Sequence, residues 1–211
     1  MSTDELEDQL RTRGPKVGEL PDVAALADRA GLLDVAYASF DSPLGELLLA
    51  ATETGLVQLA YVRPGQIDSL LARLAERVSP RILVAPRRLD EPRRELEEYF
   101  SGGRRVFEFA LDGRLMSPFA RRVMTATAAI PYGQMSTYAE VAARAGSPRG
   151  ARAAGNALGA NPLPIVLPCH RVLRSGGNLG GYTGGLDRKR ALLAIEQGQP
   201  PLWPGAARSG S

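Results

Sequence analysis

The feature that most constrains the fold is a change in the pattern of apolar residues near position 112. Before it, three short apolar runs alternate with turns rich in Gly, Pro and Ser, at Val35–Phe40, Glu46–Ala51 and Leu56–Tyr61. Such runs predict three consecutive antiparallel strands. After it, the pattern is mostly helical. The sequence therefore predicts an α+β fold, with the sheet first and the helices second.

Further elements follow from capping signals and breaker residues. In the first half, helices are expected over 67–78 and 92–100, with a fourth strand over 106–111. In the second half, helices are expected over 118–130, 137–145, 148–158 and 187–197. Ser136 or Thr137 would cap the second of these, and Ser147-Pro148 would begin the third. Two helices joined by a short turn containing Gly146 have the spacing of a helix-turn-helix.

These elements divide the chain into four parts. Residues 1–34 carry eight acids and four bases. They are predicted to be a solvated extension outside the core, with short helical patterns over 4–12 and 22–30. Residues 35–112 would form the α+β domain and 113–200 the helical domain. Residues 201–211 are expected to be a flexible tail.

Charge is distributed unevenly although the formal net charge is only +3. Residues 141–190 hold eight basic side chains against one acid, Asp187. A basic face of this kind can neutralise phosphates. An arginine-rich composition explains the same count, so charge alone leaves nucleic-acid binding open.

The single cysteine limits the compartment and the cofactors. One Cys and one His exclude an intramolecular disulfide framework and supply too few soft ligands for a structural zinc site. No apolar run of about 18 residues is present, and the N-terminus is acidic rather than signal-like. A cytoplasmic protein without membrane contact, metal or cofactor is expected.

That cysteine is also the candidate nucleophile, because Cys169 and His170 stand side by side. A lone intracellular Cys is most often an inert apolar residue. Here Pro168 precedes it and the glycine-rich segment 175–181 follows, which indicates an irregular loop, where catalytic groups concentrate. Thiol and imidazole together form a common activated nucleophile.

Several motifs in a fixed order together resemble the alkylguanine-DNA alkyltransferases, also called methylated-DNA–protein-cysteine methyltransferases. The resemblance runs from about Val35 to Gly198. It is carried by Asp41-Ser42-Pro43-Leu44-Gly45, Ile130-Pro131-Tyr132-Gly133, Ser136-Thr137-Tyr138, Ala151-Arg152-Ala153-Ala154-Gly155, Asn161-Pro162, Pro168-Cys169-His170-Arg171, Gly181-Tyr182-Thr183-Gly184-Gly185 and Glu196.

The resemblance implies both a fold and an activity. The N-terminal domain would be ribonuclease-H-like, and the C-terminal domain would carry the helix-turn-helix and the active-site loop. A monomer would bind double-stranded DNA from the minor groove and flip out 6-O-alkylguanine. It would then move the alkyl group irreversibly to Cys169, once per molecule. 4-O-Alkylthymine would be a second substrate.

The residues themselves require a base beside the thiol. A free thiol has a pKa near 8.5, so it is mostly protonated at neutral pH. Glu196 shares the apolar side of its predicted helix, where a carboxylate must be paired, and His170 is the only imidazole. Neighbouring residues on a strand point to opposite faces. A bridging water, implied by the resemblance, would complete a Cys–water–His–Glu relay, and Asn161 would brace it.

Other roles come from the resemblance alone. Tyr138 and Arg152 would flip the damaged nucleotide, Tyr138 by crowding the phosphate on its 3′ side and Arg152 by filling the vacated stack. The further DNA contacts would be Ala139, Ser147 and Ser175. The base pocket and its lid would be formed by Tyr138, Leu158, Pro164, Tyr182 and Thr183.

The sequence departs from the family pattern at one helix. The family usually has Phe-Gln before this helix and a Val-Trp pair inside it, whereas this chain has Phe119-Ala120 and Val123-Met124. The zinc of some members is not expected either. Two other functions stay open from the residues: a helix-turn-helix regulator with a structural Cys, and a cysteine hydrolase.

Overall fold

A computed structural model describes residues 23–199. The helices are α1 (Val23–Arg29), α2 (Ile67–Arg77), α3 (Asp90–Phe100), α4 (Pro118–Ala128), α5 (Tyr138–Arg144), α6 (Ala151–Gly159) and α7 (Leu186–Glu196). The strands are β1 (Val35–Ser42), β2 (Gly45–Thr52), β3 (Gly55–Tyr61), β4 (Ile82–Val84), β5 (Ser136–Thr137) and β6 (Val172–Leu173). Short 3-10 turns cover Pro86–Leu89, Gly113–Leu115 and Cys169–Arg171. Over this part of the chain, no helix combines the length and apolar character needed to cross a membrane.

The N-terminal half is built on a four-stranded sheet of order β3-β2-β1-β4. β1, β2 and β3 are antiparallel neighbours, as predicted from the turn spacing. β4 joins β1 in parallel and was not predicted, since its three residues are too few to show an alternating pattern. The α+β fold predicted from the sequence is confirmed.

The predicted strand over 106–111 is wrong. This segment has only an isolated bridge between Leu56 and Leu111. One of its backbone groups pairs with a side chain, because the buried carboxylate of Glu95 accepts a 2.9 Å hydrogen bond from the Glu108 N–H. The Ala110 carbonyl accepts from the Leu56 N–H at 2.9 Å. Phe109 is buried in the core and Phe107 packs against it, both from an irregular segment, whereas Val106 and Leu111 are exposed.

The helix-turn-helix consists of α5 and α6. Thr137 caps α5 through a capping box with Glu140, which fixes the start of this helix. The predicted start of α6 at Ser147-Pro148 is wrong. The Gly150 N–H donates to the Ser147 carbonyl at 2.8 Å, so these residues form a turn and the helix begins at Ala151.

The helical pattern predicted over 22–30 is present as α1, and the described part of the N-terminal extension is mostly exposed but contacts the core at one point. Leu33 is only 4% exposed and packs with Ala24 and Ala27 of α1 against the sheet. Leu26 and Leu32 remain exposed. The helical pattern over 4–12 and the tail 201–211 lie outside the described residues.

The two halves share one hydrophobic core. Its largest cluster contains Leu47 and Leu49 of the sheet together with Val123 and Met124 of α4. Met124, where the family usually has Trp, is 2% exposed and therefore has a packing role rather than a DNA contact. The parallel pair β5–β6 ties the start of the helix-turn-helix to the segment directly after His170 and Arg171.

Candidate active site and nucleic-acid interface

Asn161 fixes the loop that carries the cysteine. Its side-chain oxygen accepts from the Leu163 N–H at 3.0 Å, and its Nδ2 donates to the Leu167 carbonyl at 2.9 Å. Nδ2 also donates to the Sγ atom of Cys169 at 3.2 Å. The loop places Ile165 at a φ of 74°, a left-handed conformation unusual for a β-branched residue.

Cys169 opens a 3-10 turn, so its neighbour does not follow strand geometry. His170 is fully buried, and its Nε2 lies 2.7 Å from the Oε1 atom of Glu196. Because Glu196 is ionised and can only accept, Nε2 carries the proton and Nδ1 carries the lone pair. Nδ1 has no hydrogen-bond partner among the residues that the structure describes.

Glu196 is the centre of a buried hydrogen-bond network. Nε of Arg171 donates to its two oxygens at 3.1 and 2.9 Å, the Tyr99 hydroxyl donates at 2.9 Å and the Gly133 N–H at 3.0 Å. Burial raises the pKa of Glu196, but the hydrogen bonds from His170 and Arg171, together with the positive charge of Arg171, outweigh it and hold the pKa at about 2.

The Cys169 thiol and the His170 imidazole are both uncharged at neutral pH. Burial raises the pKa of the Cys169 thiol to about 11, although the Asn161 hydrogen bond and the charge of Lys189 act against it. Burial lowers the pKa of His170, against the opposing effect of Glu196. A neutral imidazole has a free lone pair, and on His170 that lone pair is on Nδ1.

The basic segment does not form one surface. Arg171 is buried on Glu196, and its Nη1 donates to the Ile130 carbonyl at 2.6 Å. Lys189 is also buried, with its ammonium on the carbonyls of Val172 and Leu179. The predicted excess of positive charge on a DNA-facing surface is therefore smaller than the residue count suggests.

A cleft of about 680 Å³ leads to the cysteine. The cleft is lined by Cys169 and by seven other residues that were predicted to contact DNA or substrate. These seven residues belong to α5, α6 and the loop after β6. They are Tyr138, Ala139, Arg152, Leu158, Ser175, Tyr182 and Thr183.

Two residues with predicted contacts, Ser147 and Pro164, do not line the cleft. Ser147 lies in the turn before α6, and Pro164 borders a separate cavity behind the loop. Arg152 is exposed on α6, so its guanidinium is accessible to a ligand. Tyr138 packs against the loop between β6 and α7, where its hydroxyl donates to the Gly181 carbonyl at 3.4 Å.

Sequence reasoning missed the supports of the site. Arg171 was counted as surface charge, and Tyr99 and Tyr61 were counted only as parts of a helix and a strand. Tyr61 hydrogen-bonds Tyr182 across the two halves, with 3.0 Å between the hydroxyl oxygens. In residues 23–199 no three His, Cys, Asp or Glu side chains are grouped to hold a metal ion.

Comparisons with known proteins match both halves. Residues 35–113 match the 6-O-methylguanine DNA methyltransferase, ribonuclease-like domain, and residues 118–198 match the DNA binding domain of the same family. The methylated-DNA–protein-cysteine methyltransferase of Mycolicibacterium paratuberculosis is 41% identical over 167 residues, covering 79% of this chain and 95% of that protein. The constitutive enzyme of Bacillus subtilis is 35% identical over 164 residues, 76% of this chain and 94% of that one.

A solved structure agrees with these relatives. The crystal structure of Mycobacterium tuberculosis OGT in complex with DNA is similar with a TM-score of 0.66 and 35% identity, covering 79% of this chain and 95% of that one. The described fold, the cysteine at the base of the cleft and the sequence matches agree. This chain belongs to the family of methylated-DNA–protein-cysteine methyltransferases.

Proposed function

We propose that this protein repairs DNA directly, by moving the alkyl group of 6-O-alkylguanine to Cys169 in a single, irreversible turnover. The observation that carries the proposal is the Cys169 sulfur at the base of an open cleft, backed by a buried His170–Glu196 pair. 4-O-Alkylthymine is the second substrate in this proposal, because it offers the same alkyl carbon on a pyrimidine oxygen.

The proton of the thiol leaves first. His170 Nδ1 is the unpartnered basic atom, and Nε2–H is held on the Glu196 carboxylate at 2.7 Å. One water between Sγ and Nδ1 carries the proton to the imidazole. Glu196 then stabilises the imidazolium, and the Asn161 amide donates to the thiolate that forms.

The alkyl transfer is a displacement at a saturated carbon. The sulfur–carbon bond forms as the carbon–O6 bond breaks, and the electron pair of that bond stays on the guanine. The imidazolium returns its proton to the departing base. The thioether on Cys169 has no chemical route back, so the protein acts once.

DNA enters from the face of α6. Flipping a nucleotide costs a few kcal/mol and is cheapest for a poorly paired base, such as an alkylated guanine. Tyr138 rotates the phosphate on the 3′ side of the lesion, and Arg152 fills the space left in the stack. Ala139 and Ser175 contact the backbone, while Leu158, Tyr182 and Thr183 enclose the base.

Intact-protein mass spectrometry after incubation with an oligonucleotide carrying 6-O-methylguanine tests the proposal. We expect a gain of one methylene group per molecule, mapped to Cys169, and an undamaged guanine in the oligonucleotide. A helix-turn-helix regulator would bind without a change in mass. A cysteine hydrolase would release product over many turnovers.

Matched controls are the unmodified oligonucleotide and the Cys169→Ser variant. Neither should give a mass change, and substrate in excess should be consumed only to one equivalent of protein. Methylation of another residue, or repeated turnover, would contradict the mechanism.

A further inference from the structure

Tyr182 lines the cleft, yet its hydroxyl is engaged by the other half of the molecule. The two hydroxyl oxygens of Tyr182 and Tyr61 lie 3.0 Å apart, and their rings meet edge to face with centroids 6.2 Å apart. Tyr61 is the last residue of β3 and lies outside the cleft wall. The ring of Tyr182 also stands perpendicular to His170, at 6.4 Å between centroids.

Tyr61 is itself held in place. The guanidinium of Arg188 stacks 4.4 Å from the centre of its ring. Nε of Arg188 donates to the Leu44 carbonyl at 2.8 Å, and Nη1 donates to the Gly184 carbonyl at 3.0 Å. The orientation of Tyr61 is therefore set by the turn between β1 and β2 and by α7.

Gly184 provides the room for this contact. A Cβ atom at this position would lie 2.5 Å from the Tyr61 ring and 2.8 Å from the Tyr182 ring. Both rings would have to move, because neither distance is compatible with van der Waals contact. The backbone at 184 thus brings the wall of the cleft against the N-terminal half.

We propose that Tyr61 is a positioning residue, which sets the ring of Tyr182 for the flipped base through the pair of hydroxyls. The inference rests on the proposed function. Because the Tyr182 hydroxyl is directed to Tyr61, Tyr182 presents its ring to the guanine. Among the residues that the structure describes, no hydrogen bond joins Tyr61 to Cys169, His170 or Glu196. We therefore expect Tyr61 to act on substrate binding rather than on the thiol.

The test uses Tyr61→Phe, which removes one oxygen, and follows methyl transfer from the 6-O-methylguanine oligonucleotide under single-turnover conditions. We expect the substrate concentration for half-maximal rate to rise about fivefold, the effect of one neutral hydrogen bond. The limiting rate should be unchanged, and so should the rate at which iodoacetamide alkylates Cys169. Tyr37→Phe is the matched control, because Tyr37 packs against a different core cluster.

The double variant Tyr61→Phe/Tyr182→Phe asks whether the two hydroxyls act on each other. If the two hydroxyls act on each other, the double variant should bind the oligonucleotide about fivefold more weakly than wild type, as each single variant does. Two independent effects would multiply to about 25-fold. A larger loss in Tyr182→Phe than in Tyr61→Phe would mean that the Tyr182 hydroxyl contacts substrate, and would overturn the inference. Unchanged half-saturation in Tyr61→Phe, or a lower limiting rate, would also overturn it. If the wild type takes no methyl group, the proposed function fails and this inference fails with it.

Discussion

Replacing Glu196 by Gln tests whether the buried carboxylate is ionised as the network requires. The pKa of Glu196 is about 2 in the folded protein, against about 4.3 for a free side chain. A difference of about 2.3 units corresponds to about 3 kcal/mol of folding free energy at pH 7. Glutamine keeps the shape of the side chain but loses the negative charge that pairs with Arg171.

The sign follows from proton linkage. The folded-state pKa lies below the unfolded one, so the unfolded chain binds more protons in acid, and this stabilisation is lost as the pH falls from about 5 towards 2. The stability gap between wild type and Glu196→Gln should therefore shrink from about 3 kcal/mol at pH 7 to about 2 kcal/mol at pH 3.5. The loss of the Arg171 ion pair is already contained in this figure, because that pair is one of the causes of the lowered pKa of Glu196.

Urea unfolding of both proteins at a series of pH values measures the gap. Glu97→Gln is the control, since Glu97 is half-exposed on α3 in an ion pair with Arg93 worth under about 1 kcal/mol. The difference in unfolding free energy between wild type and Glu97→Gln should be small at every pH. If the Glu196→Gln gap does not change with pH, the carboxylate does not owe its ionisation to this network, and the assignment of His170 Nδ1 as the base loses its support.

Three further outcomes follow from the site and the core. Cys169→Ser should lose methyl transfer but keep its affinity for DNA in a binding titration, because phosphate contacts dominate that affinity; loss of binding would mean that the thiol is structural. Arg152→Ala should slow repair of duplex DNA at least about tenfold more than reaction with free 6-O-methylguanine, since only the duplex must be flipped; equal losses on both would give Arg152 another role. Leu33→Ala should cost about 2–5 kcal/mol in urea unfolding, whereas exposed Leu32→Ala should stay within about 0.5 kcal/mol; equal values would show that Leu33 is not buried against the sheet.

The sequence allowed the fold to be predicted where local signals are strong. β1 to β3 alternate with Gly-containing turns, and the capping box of Thr137 and Glu140 marks the start of α5. These signals depend on residues at most four apart. β4 and the segment 106–111 were not predicted correctly, because their conformation depends on distant partners: β1 in one case and the Glu95 carboxylate in the other.

The chemistry of the site was predictable only in part. Cys169, His170 and Glu196 could be brought together by the motif and by the inward side of α7. The burial of Arg171 and Lys189 could not, since a charge count does not distinguish a surface arginine from one that is paired inside. Lys189 donates to two backbone carbonyls, and a sequence carries no mark of which carbonyls lack a partner.

The site depends on both halves of the chain for an electrostatic reason. The buried carboxylate of Glu196 needs hydrogen-bond donors on both of its oxygens. A buried acceptor without a donor destabilises the folded protein by at least the free energy of one hydrogen bond. Arg171 and His170 come from the turn that holds the cysteine, and Gly133 comes from the segment after α4. The remaining donor, the Tyr99 hydroxyl, belongs to α3 of the N-terminal half. The sheet-containing half therefore completes the network around Glu196, and the C-terminal half without it would leave the carboxylate that holds His170, the proposed base, incompletely paired.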